Sequence, residues 1–302
     1  MFDGFETADV KTEETTIFLR RSGNGPPLLL LHGFPQTHLM WREVAPRLAR
    51  CFTVVCADLR GYGRSGCPPS TPDHMPYSKR AMAADMASVM ERLGFRQFAV
   101  AGHDRGGRVA YRLALDHPER VSRLAVLDVV PTGMAWARAD ADFALGSWPW
   151  SLLAQDEPLP ERILSNNAAD IVESALDHWG SAAEAFPAEV RAAYAQALRD
   201  PRHAHAICEE YRAAAGIDRD HDEADRKAGR RIACPMLVLW SGGGPLDGWY
   251  GPEGGPLGLW KTFADRVSGE PLAGGHFFPE EMPERTAGAL AGFLLKDQNS
   301  VS

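Results

Sequence analysis

The chain has 302 residues, 45% hydrophobic and 24% charged, with a formal net charge of −8. That apolar content excludes a disordered chain, and the 29 glycines and 22 prolines exclude a coiled coil. The negative balance argues against a protein built mainly to hold nucleic acid, because phosphate binding needs a basic surface, although a small anionic substrate responds to local charge instead.

In chain order, the first strong signal is the apolar run Leu28–Leu31, held between Pro26-Pro27 and His32-Gly33. A second run, Phe52–Cys56, leads into Ala57-Asp58. Met82, Met86, Val89, Met90 and Leu93 then recur at helical spacing, with Gly94 as the stop. A third strand is expected from Gln97 to Ala101, entering Gly102, and a helix carrying Val109, Leu113 and Leu115 follows. Leu124–Leu127 leads into Asp128, and Met236–Trp240 leads into Ser241-Gly242-Gly243-Gly244. Short continuous apolar runs read as strands buried on both faces, and their alternation with helices implies a doubly wound, mostly parallel α/β sheet. Between about Gly133 and Arg231 no strand-like run occurs, and Ala- and Trp-rich helical stretches are broken by prolines. The expected organisation is therefore a core of residues 1–132 and 232–302, split by an all-helical cap at 133–231. Clefts between such units are where small-molecule sites usually lie.

The five cysteines, Cys51, Cys56, Cys67, Cys208 and Cys234, have no CxxC or CxxH spacing, so neither a disulfide framework nor a zinc site is expected. Reduced thiols, an acidic start with no apolar leader and no apolar run of about 18 residues fit a cytoplasmic protein. His203, His205 and His221 read as surface residues without ligand spacing. Gly61-Tyr62-Gly63-Arg64-Ser65-Gly66 matches a dinucleotide fingerprint, but Pro68-Pro69 follows where a helix must open, so no dinucleotide is expected.

The chemistry concentrates in Gly102-His103-Asp104-Arg105-Gly106-Gly107-Arg108, where a strand gives way to a helix. The Gly-x-x-x-Gly frame makes a sharp turn that lifts its central side chain above the sheet, near a helix N-terminus. That side chain is Asp104 where esterases carry serine, and no G-x-S-x-G occurs elsewhere. A helix N-cap is the plain alternative for such an Asp. A carboxylate nucleophile attacks an sp3 carbon and forms an ester, which water hydrolyses with help from an oriented histidine. His276, in a glycine-flanked loop late in the chain, is the candidate base. Asp128 and Asp247 both follow strands and both are candidates to orient it; chain order does not choose between them. The backbone N–H groups of Phe34 and Arg105 are the expected oxyanion donors. Arg105 and Arg108 present planar forks suited to a substrate carboxylate; a solvated helix face or an ion pair with Asp104 is the plainer reading.

These segments, with His32-Gly33-Phe34-Pro35 and Asp58-Leu59-Arg60-Gly61, resemble the α/β-hydrolase fold with a helical cap. More narrowly, Leu30–Gln36, the His-Asp-Arg-Gly-Gly-Arg stretch, Leu127–Thr132, Glu210-Tyr211-Arg212-Ala213 and Gly275-His276-Phe277 resemble the haloacetate (fluoroacetate) dehalogenases. The resemblance implies Asp104 as nucleophile, His276 as base, Asp128 as the orienting acid, and Arg105 and Arg108 as the clamp on the substrate carboxylate. It further implies Trp150 and Tyr211 as halide donors, no cofactor or metal, water as co-substrate and a homodimer. One position departs: Pro149 stands where the family has a halide-pocket histidine. The implied activity is hydrolysis of short 2-halo acids, with chloro- and bromoacetate favoured over fluoroacetate. The alternatives are an epoxide hydrolase, for which the insertion offers Tyr194 and Tyr211, and a non-catalytic ligand-binding protein.

Overall fold

The computed structural model describes residues 1–296; residues 297–302, the end of the expected core segment 232–302, lie outside the described residues. The strands are β1 Glu6–Lys11, β2 Thr16–Ser22, β3 Pro27–Leu31, β4 Thr53–Ala57, β5 Phe98–His103, β6 Val121–Leu127, β7 Met236–Ser241 and β8 Val267–Leu272. They form one sheet in the order β1-β2-β4-β3-β5-β6-β7-β8. From β4 onward the pairs are parallel, while β1 with β2 and β2 with β4 are antiparallel.

The leucine run of β3 shows why these strands read as continuously apolar. Leu29 and Leu31 pack into one core cluster, and Leu28 and Leu30 into the other, on opposite faces of the sheet. The β1–β2 hairpin was not among the expected strands. β1 is mostly exposed and charged at Glu6, Asp9 and Lys11, so it lacks the apolar run that marks the others.

In the core, α1 is Ala45–Leu48, α2 Lys79–Arg92 and α3 Asp104–Asp116; Gly94 takes φ 87° just beyond α2, as its stop position requires. Between β6 and β7 run α4 Thr132–Ala137, α5 Ala141–Gly146, α6 Trp148–Leu152, α7 Leu159–Asn166, α8 Ala168–His178, α9 Ala188–Arg199, α10 Pro201–Ala215 and α11 Ile217–Lys227, with no strand among the described residues there. After β7 come α12 Pro245–Trp249 and α13 Gly255–Trp260, and after β8 come α14 Phe278–Glu281 and α15 Pro283–Leu294. No helix is long and apolar enough to cross a membrane among the described residues.

The sheet ends where the chemistry-bearing residues begin. His32-Gly33-Phe34 follows β3, Asp104 follows β5, Asp128 follows β6, Ser241 closes β7 and His276 follows β8. All lie at carboxyl ends of parallel strands, where open α/β sheets place ligands. The turn from β5 into α3 passes close under β3. A Cβ on Gly106 would stand 2.4 Å from the His32 carbonyl oxygen, so only glycine lets α3 start there.

Candidate active site

Asp104 has φ 44°, in the left-handed region, and its half-buried carboxylate faces the loop after β3. The Phe34 backbone N–H donates to Asp104 Oδ2 at 2.9 Å. Gly33 makes this approach feasible, because a Cβ there would lie 2.6 Å from Asp104 Cβ. The side chain therefore does not cap its own helix; it is oriented by a donor from a neighbouring loop. Burial alone would push the Asp104 carboxyl up, but His276, Arg105, His103 and Arg108 outweigh it and hold it below the ordinary carboxylate range.

His276 Nδ1 lies 2.6 Å from Asp128 Oδ2. Asp128 itself has φ 49°, and its Oδ1 accepts the Ser241 backbone N–H at 2.9 Å. Burial would lower the His276 imidazole, yet its hydrogen bond to Asp128 and the charges of Asp128 and Asp104 raise it above its ordinary value. The structure separates the two acids that chain order left open. Asp247 accepts Trp240 Nε1–H at 2.5 Å and Gly243 N–H at 2.8 Å, so it braces the loop after β7. His103, the residue before Asp104, has Nε2 2.8 Å from the His276 carbonyl oxygen; burial, then the His276 charge, pushes its imidazole down to about 4, so it is neutral and holds the histidine loop in place.

Asp104, Asp128 and His276 line one cavity of about 610 Å³, together with Arg108, Trp150 and Tyr211. Core and insertion both contribute: Phe143, Pro149, Trp150 and Trp179 come from the insertion, and Trp249 and Tyr250 from the segment after β7. Arg108 Nη1 donates to the Val130 carbonyl at 2.8 Å, and its guanidinium lies 4.3 Å from the Trp150 ring centre, while Nε is buried without a partner. Burial and then the Arg105 charge push the Arg108 guanidinium down to about 10.

Arg105 departs from the expected clamp. It is wholly buried and is not among the residues lining the cavity. Its Nε donates to both carboxylate oxygens of Glu210 at 2.9 Å, and its guanidinium lies 4.0 Å from the Tyr211 ring centre. Its partner is thus Glu210 of α10 rather than Asp104, and Nη1 stays buried without a hydrogen-bond partner. Glu210 also meets Lys79, whose other anion is Asp218 at 3.4 Å. Sequence reasoning named Glu210 only as part of a matching motif. Its buried pairing was recoverable only as an arginine of the core in want of an anion.

Five further residues were missed or misplaced. Trp179 packs edge-on against His276 with ring centres 5.5 Å apart, and its carbonyl accepts the His276 N–H at 2.9 Å. Tyr194 is buried and donates to Glu280 Oε1 at 3.1 Å, outside the cavity lining. The three histidines expected on the surface are half-buried; His205 Nδ1 lies 3.5 Å from Glu157 Oε2 and 3.6 Å from Glu161 Oε1. Helix packing brings these carboxylates beside it across a gap in sequence, and Arg212 Nη2, 2.7 Å from Glu161 Oε1, supplies the cluster with a cation.

A family model for the alpha/beta hydrolase fold matches residues 26–253. The chain belongs to that family. It is 42% identical over 302 residues to a fluoroacetate dehalogenase of Burkholderia sp, covering 100% of this chain and 97% of that one. A soluble epoxide hydrolase of Corynebacterium sp. (strain C12) is 32% identical over 277 residues, 87% of this chain and 88% of that one. Among solved structures, a candidate alpha/beta hydrolase from Nostoc sp PCC 7120 is 48% identical with a TM-score of 0.94, over 98% of this chain and 100% of that one. A candidate epoxide hydrolase from Pseudomonas aeruginosa is 44% identical with a TM-score of 0.89, over 97% and 96%. The chain is a hydrolase that resembles the haloacetate dehalogenases throughout its length.

The two acids give opposite expectations on substitution. Asp128→Asn leaves the imidazole with the wrong hydrogen-bond partner and is expected to lose about 10⁴-fold in steady-state turnover, by analogy with other Asp-His pairs. Asp247→Asn is expected to keep most of that turnover and to change loop stability instead. Halide- or diol-release rates of the two purified variants check both.

Proposed function

We propose that the protein is a hydrolytic dehalogenase of 2-halo carboxylic acids, with residues 133–231 acting as a cap over the core. The observation that carries this reading is the carboxylate of Asp104, pinned at Oδ2 by Phe34 and sharing a cavity with the His276–Asp128 pair and Arg108. Because Oδ2 is committed to the Phe34 N–H, Oδ1 is the attacking atom. It forms a bond to C2 of the acid, and the halide leaves with the electron pair of the broken carbon–halogen bond. Trp150 and Tyr211 line the cavity with polar N–H and O–H groups suited to the departing halide.

The product of this step is an ester of Asp104 in which Oδ2 has become the carbonyl oxygen. Neutral His276 takes a proton from water, and the resulting hydroxide equivalent adds to Cγ of Asp104. The charge that develops on Oδ2 meets the Phe34 N–H already aimed at it and the Arg105 N–H in the first turn of α3, where N–H groups lack intrahelical partners. Collapse breaks the bond from Cγ to the substrate oxygen, that oxygen takes the proton from His276, and the carboxylic acid left on Asp104 gives up the remaining proton of the water to solvent. A 2-hydroxy acid leaves and the Asp104 carboxylate is restored, so no cofactor enters the balance.

Arg108 lines the cavity and is the cation nearest to hand for the substrate carboxylate, with the partnerless Nη1 of Arg105 behind it. An epoxide hydrolase runs on the same Asp and His but needs acidic O–H groups over the epoxide oxygen. Of the two insertion tyrosines, Tyr211 lines the cavity and Tyr194 is engaged by Glu280, while Tyr250 after β7 lines it too; what favours the halo acid is Arg108, a cation in the lining for its carboxylate.

The decisive test is the intermediate. In His276→Gln the ester forms and is not hydrolysed, so incubation with chloroacetate is expected to add one carboxymethyl group to the peptide carrying Asp104, read by mass spectrometry. An adduct formed only with epoxides assigns the other reaction, and no adduct with either class favours a ligand-binding role.

Proline offers neither a side-chain donor nor an N–H, so Pro149 removes one donor from the halide pocket, at a cost of about 10²-fold or more for the poor leaving group fluoride. Chloroacetate is therefore expected to release halide faster than fluoroacetate when the two are assayed side by side. Faster fluoride release contradicts that preference and leaves the reaction class intact.

The pH dependence separates the two steps. Asp104 stays ionised well into acid, whereas His276 must be neutral to act and its affinity for protons is raised. Rapid-mixing measurements are expected to show ester formation flat across the range in which ester hydrolysis falls about tenfold per pH unit of acidification.

A further inference from the structure

The cavity is far larger than a haloacetate needs. At about 30 Å³ per water-sized unit, a haloacetate of five heavy atoms fills about 100–150 Å³, against the 610 Å³ present. Cavities of about 300–1,000 Å³ ordinarily hold ligands several times that size. Aromatic and aliphatic side chains line much of the excess space, with Ser147, Ser174, His178 and Ser241 as its polar members besides the site residues. Among the described residues lining the cavity, Arg108 is the one Lys or Arg side chain.

The apolar part has a direction. Arg108 lies against Trp150, whose ring centre is 5.5 Å from that of Phe143, which in turn is 5.7 Å from Trp249. These three rings line the cavity and form a continuous aromatic wall that begins at Arg108. Leu246 joins the wall, and Leu145, 80% exposed, sits on its rim. Pro149 belongs to the same lining and adds a further apolar surface where a histidine would have brought a polar one.

Resting on the dehalogenase reading, we propose that the substrate is a 2-halo acid with an aryl-bearing side chain, its carboxylate toward Arg108 and its ring along the Trp150–Phe143–Trp249 wall. An aromatic ring gains most from such a wall, because edge-to-face packing adds to the area it removes from water. The reaction keeps the same balance: Asp104 Oδ1 bonds to C2, the halide departs with its electron pair, and water supplies the hydroxyl of a 2-hydroxy acid that retains the ring.

The test compares 2-chloro-3-phenylpropionate with 2-chloropropionate on the wild-type protein. Both are secondary chlorides and the ring is one carbon removed from C2, so the ring changes fit rather than intrinsic reactivity. The expected result is a kcat/KM at least about tenfold higher for the ring-bearing acid, in the range a filled apolar pocket supplies. A second arm needs no chemistry: 3-phenylpropionate is expected to inhibit chloroacetate turnover with a Ki at least about tenfold below that of propionate. A smaller ratio in either arm, with chloroacetate still dehalogenated, overturns the aryl assignment and leaves the dehalogenase standing. Absence of halide release from every acid overturns both.

Discussion

Asp104 carries its side chain on a backbone at φ 44°, a conformation that costs an L-residue about 1–2 kcal/mol. The neighbourhood is arranged to hold it there. β5 and α3 meet with no intervening loop, so the chain must reverse at this one residue. The helix can begin at that point only because Gly106 passes under the β3 carbonyls, and the carboxylate can meet Phe34 only because Gly33 has no side chain. The strain is borne by a parallel sheet whose central strands, β3, β5 and β6, are packed on both faces. Asp128 repeats the device at φ 49° after β6, turning its carboxylate toward His276 while Ser241 fixes the other oxygen. Two left-handed aspartates after neighbouring strands thus turn their carboxylates into one cavity.

The second constraint is electrostatic and joins the insertion to the core. Arg105 of α3, Glu210 of α10, Lys79 of α2 and Asp218 of α11 form a buried chain of alternating charge. Burial first, and then the Arg105 charge, pushes the Lys79 ammonium down to about 7. Removing one member of a buried pair costs about 3–5 kcal/mol, because the remaining charge is stranded. This chain of charges therefore ties α10, and with it Tyr211, to the residue after Asp104. In a protein of net charge −8 it also leaves one arginine for the pocket: Glu210 balances Arg105 from behind, and Arg108 faces the cavity alongside Asp104 and Asp128.

The parallel strands β3 to β7, the elbow and the helical stretch between β6 and β7 were legible because each follows from a local pattern: an apolar run, a glycine pair about an Asp, or the lack of such runs over a hundred residues; β8, Val267–Leu272, is mostly exposed and has no such run. β1 was not, because an exposed edge strand has no buried face to mark it; β2 offers only the three buried residues Ile17-Phe18-Leu19 before its charged end at Arg20 and Arg21. The choice between Asp128 and Asp247 was invisible in chain order, since both follow strands; it depends on Asp247 being consumed by Trp240 and Gly243. The pairing of Arg105 was hidden for the same reason. A fork beside Asp104 looks free in sequence, whereas its anion comes from a helix more than a hundred residues away. Trp179 and Tyr194 likewise depend on packing that no spacing encodes.

The central claim is that an oxygen of Asp104, and not one from water, is transferred to the substrate carbon. A single turnover with enzyme in excess over chloroacetate, in oxygen-18-labelled water, tests it most directly. The account predicts an unlabelled hydroxy acid and label in the peptide that carries Asp104. Label in the hydroxy acid during that first turnover, with the Asp104 peptide unlabelled, contradicts it.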